Sequence, residues 1–184
     1  MKFDLPLDSF QQFESDRGMG LGYSNDLRIE SKAAIGHLLK GKMDEANERL
    51  VKAEQLNNDL QDLMEKTPYL ISVGGFHVGP EEYVEAKLLS DYLEEKPLSS
   101  PEDLRVHHES YLCGLCDMSG ELLRLARFNP GQMEQILNDI TELYQSYMEA
   151  VVTRNSSIRK KMEDLERNMK RMEEMIYTWN LKHS

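Results

Sequence analysis

The chain has 184 residues, enough for one domain with a substantial core and few for two. Its 40% apolar and 30% charged residues suit a folded helical protein rather than a disordered chain. A formal charge of -11 excludes a chain-wide basic footprint for nucleic acid but leaves room for a local basic surface.

No run of the sequence is long enough to cross a bilayer. The opening "MKFDLPLDSF" lacks the apolar core of a signal peptide, so a cytoplasmic protein without membrane contact is expected. Residues 1–23 include "SFQQFESDRGMGLGYS", whose glycines weaken a helix. They are read as an N-terminal arm or a partial first helix followed by a loop, with the helical domain occupying residues 24–184.

Within that domain, Asp26 to Lys40 reads as a helix broken at Gly41. A second helix begins near Met43 and places Met43, Ala46, Leu50, Ala53, Leu60 and Met64 on one stripe. "TPYLISVGGFHVGP" interrupts the period with paired glycines and two prolines, as a connection does. Pro80 suits the first turn of a third helix that runs to about Leu93. "EEKPLSSPEDL" is a further loop, with Ser100 placed to cap a short helical turn.

The stretch from His107 to Phe128 is one long helix, stopped by Asn129, Pro130 and Gly131. A fifth carries Met133, Ile136, Leu137, Ile140, Leu143, Tyr144, Tyr147, Met148 and Val151. Asn155 or Ser156 would cap the last, whose stripe is Ile158, Met162, Leu165, Met169, Met172, Ile176 and Trp179. That stripe serves either as core or as a seam with another subunit. Strand signals are weak throughout, so the fold expected is an all-α helical bundle.

Cys113 and Cys116 form a CxxC pair, which can mean redox chemistry or half of a zinc site. No second pair exists, only His107 and His108 stand nearby, and the pair lies inside an apolar helix. Two small core residues are the better reading.

The acidic residues are less ordinary. Glu82 and Glu85 are three apart, hence neighbours on one face, and the same face continues with Leu89, Tyr92 and Leu93. Asp117 and Glu121 stand one turn apart among Leu112, Leu115, Cys116, Met118, Leu122, Leu123 and Leu125. Carboxylates that converge in an interior repel one another and lose hydration unless a positive charge sits among them. Lys87 and Arg124 would supply part of it. A divalent cation would supply more, and an oxygen-only ligand set favours a hard ion such as Mg2+ or Mn2+. The alternative places Glu82, Glu85 and Glu121 at the edges of their stripes, solvated or paired with Lys and Arg. Iron does not fit, because the Glu-x-x-His pairs of di-iron bundles are absent.

Taken together, "EEYVEAKLL", "YLCGLCDMSGELLRLA", "IESKAAI" and "IRKKMEDLERNMKRMEEMIY" resemble the translin family over roughly residues 24–180, and specifically its Trax (translin-associated factor X) branch. The second of these is similar to the family pattern Y-L-x-G-x-A-D-[LV]-[TS]-G-E-L-x-R. The resemblance implies a translin-like bundle of about six to seven helices, assembled into a hollow homo-oligomer, mostly an octamer. It also implies a metal-dependent endoribonuclease acting on single-stranded RNA or RNA precursors, with Mg2+ as cofactor and a translin-like partner subunit as an option. Glu82, Glu85 and Asp117 would be the catalytic, metal-binding residues, and Glu121 would complete the metal set. Translin itself binds single-stranded nucleic acid and lacks these acids, so a non-catalytic single-stranded RNA- or DNA-binding protein is the alternative. The chain departs from the pattern at Asn25, where an Arg is common, at Cys116, where Ala is usual, and at "DRGMGLGYS", which replaces much of an arginine-rich first helix.

The phosphate backbone needs cations. Arg159, Lys160 and Lys161 sit in the first turns of the last helix, where the dipole disfavours them by roughly 0.3 kcal/mol or more each. A bound phosphate would offset that cost. Lys32, Arg124 and Arg127 are further candidates, together with Lys87, because they accompany the motifs that carry the resemblance.

Overall fold

The structure, a computed structural model, describes residues 6–149 and 157–183. Among these residues it contains six α-helices, two short 3-10 turns and no strand. The helices are α1 (Leu7–Leu38), α2 (Met43–Lys66), α3 (Val78–Leu93), α4 (His108–Phe128), α5 (Met133–Glu149) and α6 (Ser157–His183). Helix α1 packs against α2 and α3, α3 against α4, and α6 against α4 and α5. Thus α3 and α4 form the centre of the bundle. None of the helices is long and apolar enough to cross a membrane. The caps expected at Asn155 and Ser156, and the stripe position Val151, lie outside the described residues.

The amphipathic stripes fold as their periods require. Ala46, Leu50, Ala53, Leu60 and Leu63 of α2 are buried, as are Met133, Ile136, Ile140 and Tyr147 of α5. In α6, Ile158, Leu165 and Met172 enter the core, while Tyr177, Trp179 and Leu181 at its end are exposed. Most of that stripe is therefore core. Cys113 and Cys116 are free thiols buried in α4, and burial pushes them up to about 11 and about 12. Such thiols are poor nucleophiles and metal ligands, in keeping with the core reading. Ser100 does cap a turn: its hydroxyl accepts from Asp103 N at 3.1 Å, and Asp103 Oδ2 accepts from Ser100 N at 3.0 Å.

The N-terminal part differs from the arm, or partial first helix followed by a loop, expected of residues 1–23. Helix α1 runs unbroken from Leu7 through the glycines to Leu38. The reason is tertiary. Gly20 lies against Phe76, where an added Cβ would fall 2.3 Å from the ring, so the glycine permits a contact no other residue allows. Asp16 is buried and accepts from Thr67 Oγ1 at 2.6 Å and Gln12 Nε2 at 2.8 Å. Ser24 Oγ donates to Gly75 O at 3.0 Å and accepts from Gly79 N at 3.2 Å, pinning α1 to the start of α3. These contacts outweigh the roughly 1 kcal/mol per glycine that helix propensity withholds.

Candidate functional site

The α3–α4 crossing is set by Gly114. A Cβ there would meet Glu81 O at 2.5 Å and Val84 Cβ at 2.7 Å, so the α4 backbone sits directly on the turn of α3 that carries the acids. Ser119 and Asn168 tie α6 to the same region: Asn168 Nδ2 donates to Ser119 Oγ at 2.9 Å, and Ser119 Oγ donates to Cys116 O at 2.6 Å. The acidic positions of α3 and α4 are thereby brought to one locality, with α1 on one side and α6 on the other.

Glu85 is the deepest of them, 9% exposed, and makes no hydrogen bond or ion pair among the described residues. Burial pushes its carboxyl up to about 8, with the charges of Asp117, Glu82 and Glu121 adding to the rise and Lys161 opposing it. Glu82, Asp117 and Glu121 therefore all lie within electrostatic reach of Glu85.

Three of the four have cations of the chain as partners. Lys161 Nζ donates to Asp117 Oδ2 in a close ion pair, both side chains being half-buried. Lys32 Nζ of α1 lies 3.0 Å from Glu82 Oε1, and Arg124 Nη1 lies 3.6 Å from Glu121 Oε2. That Glu121 oxygen is buried and has no hydrogen-bond partner. Burial raises the Asp117 and Glu121 carboxyls, against the lowering influence of Lys161 and Arg124 respectively. Desolvation is the largest single influence on Lys161 and works to lower it, but the hydrogen bond to Asp117 and the charges of Asp117 and Glu81 together outweigh it, so the ammonium is stabilised.

A dication has a mixed fit here. The donors are all carboxylate oxygens, the chemistry a hard cation selects, and buried Glu85 and the Glu121 oxygen, which has Arg124 nearby but accepts no hydrogen bond, are groups it would satisfy. Yet no three Asp, Glu, His or Cys side chains among the described residues are gathered closely enough to share one ion as they stand. Side-chain rotation, and release of the lysine partners, would be needed.

The basic residues separate into two groups. Lys32, Arg124 and Lys161, read from sequence as phosphate contacts, are placed as counter-ions of the acids. Arg127, Arg159 and Lys160 are exposed, and Arg159 stands 3.9 Å from Glu163. Arg127 lines a groove of about 560 Å³ with Arg171, Lys182 and Trp179, apart from the acidic centre. Lys87 turns to Asp91 at 3.5 Å and takes no part.

One residue was missed in the sequence. Glu81 is pushed up to about 7 by burial, Lys161 lowering it and Asp117 raising it, so it faces the same centre. The signal was present: Glu81 and Glu85 are four apart and share a helical face as closely as Glu82 and Glu85 do.

The translin family model matches residues 23–183. Among solved structures, apo-NeC3PO is similar with a TM-score of 0.86 at 22% identity, over 96% of this chain and 98% of that one. The AfC3PO–duplex RNA complex gives 0.84 at 22%, over 95% and 94%, and AfC3PO gives 0.82 at 23%, over 95% and 95%. No curated protein matches the chain. At these identities the solved structures establish a common all-helical fold.

Proposed function

This chain belongs to the translin family, and on that premise we propose that it is a metal-dependent endoribonuclease of the Trax type. Its substrate is single-stranded RNA or an RNA precursor, cut within a hollow homo-oligomer, an octamer or an assembly with a translin-like partner, in the cytoplasm. The observation that carries the proposal is Glu85: a residue only 9% exposed, without a hydrogen bond or ion pair among the described residues, whose charge is opposed by those of Glu82, Asp117 and Glu121. A folded chain tolerates such a group poorly unless a ligand compensates it.

Glu82, Glu85, Asp117 and Glu121 would hold Mg2+, with Mn2+ as an alternative. When bound, the ion would supply charge stabilisation at the phosphoryl oxygens and a more acidic water for hydrolysis. The chain's own residues do the remaining work. The acids would orient the ion, and the apolar α4 surroundings would limit bulk water. The exposed Arg127, Arg159 and Lys160 draw the RNA backbone by charge, without reading bases. One similar structure is a complex with duplex RNA, which supports RNA as the ligand class.

A second reading has its own support. Because Asp117, Glu82 and Glu121 already hold cations of the chain, the acids could be structural and the protein a translin-like single-stranded RNA- or DNA-binding module. Incubating purified protein with end-labelled single-stranded RNA in Mg2+ or in chelator separates the two. Cleavage in Mg2+ alone is expected; RNA retention without cleavage in either condition selects the binding module.

A further inference from the structure

Three cations of the chain lie on the acids, from three different helices: Lys32 from α1, Arg124 from α4 and Lys161 from α6. Only Lys161 is itself half-buried, at 27% exposure of its side chain against 59% for each of the other two. It touches Asp117, and its charge also reaches Glu81 and Glu85. An ammonium in that position neutralises part of the acidic centre without any ligand. It also occupies Asp117 Oδ2, an oxygen that a metal would need.

We propose that Lys161 is a built-in counter-ion that holds the acidic centre in the absence of metal and must leave Asp117 for a divalent cation to bind. The inference rests on the metal reading given above and adds its regulation: a cation is admitted only in exchange for an ammonium. Glu85, nine-tenths buried and unpartnered among the described residues, is the independent sign that Lys161 alone does not satisfy the centre. The flexible four-carbon stem of lysine suits the exchange, since its point charge can withdraw without disturbing the α4–α6 packing made by Ser119 and Asn168. The exchange sets a threshold. A weakly held or scarce cation leaves Lys161 in place, whereas an abundant one displaces it.

The test is Mn2+ binding by the apo-protein, read from the free-ion signal in electron paramagnetic resonance, with no RNA present. Lys161→Gln removes the charge and retains a donor for Asp117; Lys161→Met removes both. Each is expected to bind Mn2+ about tenfold tighter than wild type or more, as removal of a unit charge in direct contact requires. Lys161→Arg keeps the charge and should bind as weakly as wild type, and Lys52→Met, at an exposed position of α2, should leave affinity unchanged. If Lys161→Met folds poorly, Lys161→Gln carries the comparison. Wild-type binding with no gain in either neutral variant overturns the counter-ion role and leaves the metal reading standing. Absence of Mn2+ binding in wild type and both neutral variants overturns both.

Discussion

Glu85 concentrates the electrostatic cost of the site. Its folded carboxyl titrates near 8 and an unfolded one near 4.5, so between those values the folded state holds the extra proton. Stability of the metal-free protein therefore falls as pH rises from about 4.5 to about 8. Glu85→Gln removes that dependence. Thermal melts in chelator should show the variant more stable than wild type at pH 8, by about 1–3 kcal/mol, with the difference gone near pH 4.5. A difference that is flat with pH would show that Glu85 is solvated. The same carboxylates give a metal signature: added Mg2+ or Mn2+ should raise the melting temperature of wild type, and Asp117→Asn should shrink that gain. At this scale the sequence revealed the four acids through their spacing on apolar stripes. It did not reveal that Lys161 pairs with Asp117, because the two stand 44 positions apart on different helices and no local pattern records the pairing.

Among the elements, α1 and the α3–α4 crossing are the sensitive parts. Gly114→Ala drives a Cβ against Glu81 O and Val84, both on the turn that carries the acids. It should cost about 2–4 kcal/mol in chemical denaturation and weaken metal binding together with stability. Gly18 faces open space in α1, so Gly18→Ala should stabilise the protein by about 0.5–1 kcal/mol. Opposite signs for the two substitutions would confirm that one glycine is needed for approach and the other only weakens its helix. Helix periodicity made α2 to α6 legible, with ends close to those observed, since each has an apolar stripe that must be buried. The first half of α1 was not legible. Its burial depends on Asp16, Gly20 and Ser24, small or polar residues that an apolar pattern passes over, and on partners at Thr67 and Gly75 to Gly79.

For the whole molecule, the described surface leaves apolar groups exposed at three helix ends: Leu7 and Phe10 of α1, Phe128 of α4, and Tyr177 and Leu181 of α6. Such groups fit the proposed assembly. Light scattering at micromolar concentration should give a mass well above the 21.3 kDa of one chain; a monomer mass would remove the enclosed chamber from the account. The family fold was legible from the motifs on α3, α4 and α6, whereas the proposed activity depends on whether the acids gather a cation or stay paired with Lys32, Arg124 and Lys161. One measurement addresses that most directly: the cleavage rate of labelled single-stranded RNA in Mg2+ by Asp117→Asn beside wild type, with RNA retention measured on the same samples. Wild type is expected to cut, and the variant to bind RNA with similar affinity without cutting it; cleavage by Asp117→Asn at the wild-type rate would show that Asp117 is not catalytic.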